Sequence, residues 1–348
     1  MTDLRAQLDQ ERRKVDVEYS DLTVRELLRM LEEAELNAAP AYQRKFRWTE
    51  EAESKLIESV LLGLPVPSLF VATDSDFRWE VVDGLQRLST LVHFVGRSDH
   101  LMKQIDKRKP LVLQGLEKLS ELNGVNFAEL DEDLRLYFMR RTLRVTSLSD
   151  KSDLQVRFDL FERLNGGAVA LTPQEVRACI YRGDFNDFLD ELAADEAFGT
   201  ILKLRANALN DGTREELVLK FFAYLDYRDH FRKYVTRFLN EYMLAANSSF
   251  DFARGRKVFR RSVDHLASVL DGQPFLRSGT NVTPLNQLEG VLVGIAEAVV
   301  ADEPLVVPPA GWADDEKLVA ASTKGTNTEA NLRNRIQRSR QIFTGLAA

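Results

Sequence analysis

The chain has 348 residues, with 47 basic against 54 acidic side chains, a net charge of −7, and a single cysteine. Its 44% hydrophobic content suits a sizeable core, and its length suits about two domains of roughly 150 residues each. These figures exclude a disordered, collagen-like or disulfide-stapled chain and a cysteine-rich zinc site, and they confine any nucleic-acid binding to local basic patches.

The N-terminal residues 1–14 read as a short charged helix; Glu11, Arg12, Arg13 and Lys14 leave no room for the apolar core of a signal peptide. Val15, Val17 and Tyr19 alternate with polar residues, as in a short strand. Thr23 and Glu26 have capping-box spacing ahead of Leu27, Leu28, Met30 and Leu31, which predicts a helix of about 14 residues ended by 37–40. A loop over 41–48 follows, dense in aromatic and cationic side chains. Thr49 then caps a helix that opens on Glu50, Glu51 and Glu53, favourable at the positive end of a helix dipole, and that stops at Gly63. Two strands are predicted over 68–73 and 78–82, then a helix with Leu88, Leu91, Val92 and Val95 on its apolar face. Residues 111–113 and 142–148 read as further strands.

Beyond about 150 the pattern turns helical. A helix over 153–164 meets Asn165-Gly166-Gly167. Thr172, Pro173 and Glu175 supply a cap, a proline at the first helical position and a capping-box glutamate. Thr213 and Glu216 repeat the spacing before a helix over 217–227. Residues 301–331 carry Pro304, Pro308 and Pro309 and read as a long loop before a basic helix, residues 332–343. The expectation is an α+β protein: an N-terminal mixed domain, 1–150, and a C-terminal helical domain, 151–348. The apolar runs at 60–72 and 288–300 are interrupted by Pro65 and Pro67 and by Glu289 and Glu297. Neither reaches the ~18 residues of a membrane span, so no membrane partner is expected, and with the lone cysteine the expected location is the cytoplasm.

Three segments could carry chemistry. In the first, Val81-Val82-Asp83-Gly84-Leu85-Gln86-Arg87-Leu88, a strand ends, a glycine permits a tight turn and a helix begins. Free N–H groups at a helix start favour an anion, and Arg87 in the first turn can add two parallel hydrogen bonds. Asp83 could hold a metal ion, orient a water or cap the helix; the plain alternative is a cap, a turn glycine and a surface charge. In the second, Tyr42, Gln43, Arg44, Lys45, Phe46, Arg47 and Trp48 interleave rings with cations, suited to bases and phosphates or to a surface loop with its rings tucked inward. The third, Phe161 to Gly167 followed by Leu171 to Arg177, reads locally as a helix end, a turn and a capped helix.

In this order the segments resemble the DGQQR-motif family, known as domain of unknown function family 262. Its hallmarks match Tyr42-Gln43-Arg44 with Trp48, Leu61-Leu62-Gly63 with Pro65 and Pro67, the Asp83–Leu88 turn with Thr90 and Leu91, and Phe161, Arg163, Asn165, Gly166, Gly167, Leu171, Glu175 and Arg177. The resemblance covers roughly residues 20–185. It implies a ParB/sulfiredoxin-like domain and the S-type component of GmrSD-type, modification-dependent restriction systems, with nucleotide hydrolysis and anti-phage defence as the function. Asp83, Gln86 and Arg87 would be catalytic. Tyr42, Gln43, Arg44, Trp48, Gly84 and Arg87 would bind a nucleoside triphosphate with Mg²⁺, whose ligand would be Asp83. One position departs: the family's first glutamine is Leu85 here, which would weaken hydrolysis while sparing binding. Sulfiredoxin chemistry is disfavoured, because its nucleophilic cysteine also falls at Leu85, whereas Cys179 reads as a small buried apolar residue.

Many relatives carry an HNH-type nuclease domain with clustered histidines. His93, His100, His230 and His265 are scattered and read as structural. Two basic clusters, Arg254, Arg256, Lys257, Arg260 and Arg261, and Arg333, Arg335, Arg338 and Arg340, could track a DNA backbone or form solvated helix faces. Phe221, Phe222, Tyr224, Phe231, Tyr234 and Phe238 read as core. The leading expectation is an NTP-hydrolysing component of a DNA restriction system acting with DNA, a separate nuclease or effector subunit, or a second copy of itself. Alternatives are a non-catalytic regulatory subunit controlling a nuclease or toxin and, more remotely, a nuclease using Asp83 and Glu80.

Overall fold

The computed structural model describes residue 4 and residues 17–38, 48–73, 76–148, 158–159, 172–209 and 211–346. The chain divides into two compact units, residues 1–170 and 171–348. It is an α+β protein, with a mixed sheet in the first unit and helices throughout the second.

The first unit holds five strands: β1 (Val17–Thr23), β2 (Leu36–Asn37), β3 (Leu69–Thr73), β4 (Trp79–Asp83) and β5 (Thr142–Leu148), in the order β1-β5-β3-β4-β2. The β1–β5 and β3–β4 pairs are antiparallel, whereas β3–β5 and β2–β4 are parallel. The long helices are α1 (Val24–Glu32), α2 (Glu50–Leu62), α3 (Leu85–Val95) and α5 (Glu132–Arg140), with the short α4 (Asp99–Gln104) after α3. Leu27 of α1, Ile57 of α2, Leu88, Leu91 and Phe94 of α3 and Phe138 of α5 are buried in one core with Leu69, Val71, Val81 and Val145 of the sheet. Phe94, Phe127 and Phe138 meet edge-on at its centre, with ring centroids 5.2 to 5.9 Å apart. Also buried, Glu53 of α2 and His93 of α3 are joined at 2.6 Å, and the second His93 nitrogen donates to the Lys109 carbonyl at 3.0 Å.

Capping follows the sequence. The Thr49 hydroxyl accepts from the Ala52 amide, and Gly63 closes α2 in the left-handed region at φ 70°. Thr23 caps α1, but this helix has 9 residues instead of about 14, because the chain enters β2 at Leu36 and pairs with Trp79. Residues 111–113 form no strand; Val112 makes one isolated bridge to Asn126.

The second unit comprises α6 (Pro173–Ile180), α7 (Asp184–Ala193), α8 (Glu196–Thr200), α9 (Thr213–Asp226), α10 (Val235–Ser249), α11 (Phe252–Val269), α12 (Leu285–Val300), α13 (Glu316–Thr323) and α14 (Glu329–Thr344). Phe221, Phe222, Tyr224, Phe231 and Phe238 are core as expected, whereas Tyr234 is 70% exposed. Helix α12 is buried on most sides and packs against α9, α11 and α14. A Cβ at its Gly294 would meet the Ile336 carbonyl and the Arg340 amide of α14 at 2.7 Å, so the two backbones touch where only glycine fits.

Two expectations about this unit are corrected. Thr172 and Glu175 form the expected capping box, but Thr213 does not cap α9: Gly212 occupies that position and the Thr213 hydroxyl donates to Asp211. The segment 301–331 is not one long loop, since it contains a turn of 3₁₀-helix at Trp312–Asp314 and all of α13, whose Asp315 cap accepts from the Leu318 amide. Among the described residues no helix is long and apolar enough to cross a membrane.

Candidate functional site at the β4–α3 turn

The β4–α3 turn is built by a break in the strand register. Phe70 faces Asp83 while Val71 faces Val81, so Val82 is an extra residue, and β4 bulges immediately before Asp83. A bulge redirects the side chain that follows it and is common beside functional sites. Gly84 then turns the chain at φ 102° and is itself the N-cap of α3, with no side-chain cap bond. A Cβ there would lie 2.3 Å from Leu69 Cδ2, so the turn needs glycine on both conformational and steric grounds. Asp83 is therefore the last strand residue and not the cap.

Arg87 lies one turn into α3. Its Nη2 donates to Asp83 Oδ2 at 2.7 Å and to the Ser68 carbonyl at 3.2 Å. The Arg87 side chain is 12% exposed and that of Asp83 36%. Arg87 Nε is buried and makes no hydrogen bond among the described residues. The turn thus presents an uncapped helix start, a preset guanidinium with unused donor capacity and a carboxylate open to solvent, a set that matches an anion. A divalent cation fits as well: Mg²⁺ commonly takes one or two carboxylates, with phosphate and water as its other ligands. Among the described residues no three of His, Cys, Asp and Glu gather into a ligand group. Glu80, the expected second carboxylate of a nuclease reading, is 5% exposed within β4.

The other residues of the motif are placed as follows. Gln86 Oε1 accepts from the Trp48 amide at 3.3 Å, so this glutamine ties the chain entering α2 to the start of α3. Trp48 is partly buried against the core. Leu85 belongs to the core, at 9% exposure. Tyr42, Gln43 and Arg44 lie outside the described residues, as does the segment 161–171. The Ser68 carbonyl and the Val82 bulge had no signal in the sequence, since a bulge adds one residue without changing composition.

Residues 25–182 match the family described as GmrSD restriction endonuclease, N-terminal domain. This part of the chain is related to the N-terminal domain of GmrSD-type restriction systems. The match contains the β4–α3 turn and both flanking segments of the motif. No curated protein and no solved structure matches the chain.

The basic clusters of the second unit are largely held by carboxylates. Arg256 makes a two-bonded pair with Glu191 at 2.6 and 2.9 Å, Arg254 pairs with Asp226, and Arg260 lies near Glu191 and Asp195. Arg256 holds the Glu191 carboxyl below its ordinary range. Lys257 and Arg261 are exposed. On α14, Arg333 pairs with Asp229, Arg338 with Asp315 and Arg340 with Glu303. Arg335 is corrected as a DNA contact: it is 1% exposed and paired with Glu289 inside the helical core.

Proposed function

We propose that the chain is the nucleotide-dependent component of a DNA restriction system, and that it binds a nucleoside triphosphate at the β4–α3 turn of its GmrSD-type domain. The observation that carries this reading is the Asp83–Gly84–Arg87 arrangement: a solvent-facing carboxylate and a preset, incompletely bonded guanidinium at an uncapped helix start. Phosphate oxygens fit the amides at the start of α3, and Arg87 exchanges its bond to Asp83 for one to phosphate. Asp83 is then free to hold Mg²⁺ or to orient the attacking water. Mg²⁺, when bound, supplies neutralising charge on the phosphates. Gln86 fixes the approach of Trp48, and Tyr42, Gln43 and Arg44, just before it in sequence, would close the site. DNA and a separate nuclease or effector are the partners this reading implies, and the N-terminal domain is read as ParB-like.

The test is phosphate release from each of the four ribonucleoside triphosphates with Mg²⁺, with and without DNA, for wild type, Arg87→Ala and Asp83→Ala. Release by wild type, lost in both variants with binding weakened in Arg87→Ala, is expected. An Arg87→Ala protein that folds and binds nucleotide as tightly as wild type overturns the assignment.

One observation favours a second reading, a nucleotide switch without turnover. At the place of the family's first glutamine, Leu85 is in the core and supplies no hydrogen bond to water or phosphate. Binding without release above the Asp83→Ala level would select this reading and place the activity on a partner nuclease or toxin.

A further inference from the structure

Helices α13 and α14 are joined by the five residues Lys324 to Thr328, with Gly325 in the left-handed region at φ 61° and Thr328 capping α14. The connection is held from both sides. Asn331 Nδ2 donates to the Lys324 and Gly325 carbonyls at 2.8 and 3.0 Å, and Arg335 Nη1 donates to the Thr326 carbonyl at 2.5 Å. Leu332, Arg335, Ile336 and Ser339 of α14 are buried, with Arg335 and Ile336 against Gly290 and Gly294 of α12. The pair is therefore a rigid helix–turn–helix whose second helix keeps one face in solvent.

That outer face is Ala330, Arg333, Asn334 and Gln337, with the half-buried Gln341 continuing it, at the three- and four-residue spacing of one helix side. Beside it an open groove of about 450 Å³ lies between α13 and α14, lined by Lys317, Asn331, Asn334, Gln337, Arg338 and Gln341. The Asn334, Gln337 and Lys317 side chains make no hydrogen bond or ion pair among the described residues, nor does the Lys324 ammonium group. Arg333 is 58% exposed and its partner Asp229 85%, a pair that exchanges readily. No large apolar residue lies on this face, so it lacks the anchors a protein interface needs. It offers amides, which pair with base edges and with adenine above all; a small alanine at the front of the helix, suited to a thymine methyl; and Lys317, Lys324 and Arg333 around them, suited to phosphate. A helix–turn–helix contacts base edges with the first turns of its second helix.

We infer that α14 is a DNA-reading helix: its Asn334 and Gln337 contact base edges in the major groove of duplex DNA, while Lys317, Lys324 and Arg333 contact phosphates. The inference rests on the restriction-system reading for the choice of DNA as partner. It lies outside residues 25–182 and replaces the buried or paired arginines of α14 with its amides as the specificity-bearing groups. Few cations take part, so affinity should depend only mildly on salt. Three phosphate contacts give a slope of log K against log salt of about −2 to −3.

The test uses the full chain and a fluorescein-labelled 30-base-pair duplex with a randomised centre, taken through rounds of selection and read by anisotropy. Wild type is expected to enrich a sequence and to bind it with the shallow salt slope above. Asn334→Ala/Gln337→Ala should weaken binding to the selected duplex by at least about tenfold, with little change on the unselected pool. Lys257→Ala/Arg261→Ala on α11 should leave the selected duplex unaffected. Melting temperature and nucleotide binding, measured on the same preparations, should match wild type for both double variants. No enrichment, no duplex binding with or without nucleotide, or equal binding by the amide variant overturns the inference. Selective binding that survives with no nucleotide bound or hydrolysed would overturn the nucleotide reading and leave this one standing.

Discussion

Two of the arginine–carboxylate pairs share the same chemistry in opposite surroundings. Asp83–Arg87, at 2.7 Å, leaves its carboxylate 36% exposed, whereas Glu289–Arg335, at 3.3 Å, keeps its two side chains at 2% and 1%. Among the described residues both arginines have a buried Nε without a partner, so that feature alone does not mark a site. What separates them is access. The first pair sits at an uncapped helix start where a ligand can replace one partner. The second is enclosed with Lys220, which lies 3.0 Å from Glu289 and 3.0 Å from Glu216, and Glu216 is in turn held by Arg177 at 2.6 Å. Burial raises the cost of any unpaired charge, so this network acts as a scaffold between α6, α9, α12 and α14, while the exposed pair stays free to change partners.

The sharpest way to break that comparison is to cut each pair. Arg335→Ala leaves Glu289 buried with Lys220 alone and removes a side chain that also holds the Thr326 carbonyl. Losing one partner of a buried pair costs about 3–5 kcal/mol, so the variant should unfold at clearly lower urea concentration. Asp83→Ala removes a partly exposed carboxylate and leaves Arg87 the Ser68 carbonyl, so it should cost less, about 1–2 kcal/mol, while lowering the proposed nucleotide hydrolysis. Equal losses in stability would show that access does not distinguish the two.

This contrast also explains what was legible in the sequence. The β4–α3 turn could be read because strand end, glycine and arginine are contiguous, and Asp83, Gly84, Gln86 and Arg87 are placed together by local structure alone. The caps at Thr49, Gly63 and Thr172 were legible for the same reason. Arg335 was not, because within a basic helix a buried arginine has the same neighbours in sequence as an exposed one. The signal lay elsewhere, in Gly290 and Gly294 four residues apart on α12, which mark the close helix approach that encloses it. The length of α1 and the absence of a strand at 111–113 likewise depend on partners distant in sequence, Trp79 and Asn126. In 301–331 the three prolines point to a loop, although Asp315 as a cap and the apolar Leu318, Val319, Ala320 and Ala321 describe a helix.

Gln86 sharpens the comparison within the exposed site. Its side chain accepts a hydrogen bond from the Trp48 amide, between two parts of the motif. Gln86→Ala should cost about 1 kcal/mol and shift the tryptophan fluorescence. Gln86→Glu keeps an acceptor oxygen and should restore most of the stability. If Gln86→Ala instead abolished nucleotide binding at unchanged stability, Gln86 would touch the ligand and would not serve as a tie.

The smallest effect concerns a carboxylate with carboxylates around it. Asp190 of α7 is pushed up to about 6, first by burial and then by the charges of Glu215 and Asp187. The native protein therefore binds this proton more tightly than the unfolded chain, whose aspartates titrate near ~3.9. Its contribution to stability is greatest below about pH 4, falls as pH rises, and is fully unfavourable above about pH 6. Asp190→Asn removes the titration. Because the side chain is part exposed, the gain should be no more than about 1 kcal/mol at pH 7.5 and close to nothing at pH 4. Thermal melts at the two pH values check this. A gain of equal size at both would mean that the asparagine acts by packing and that the neighbouring charges of Glu215 and Asp187 play no part.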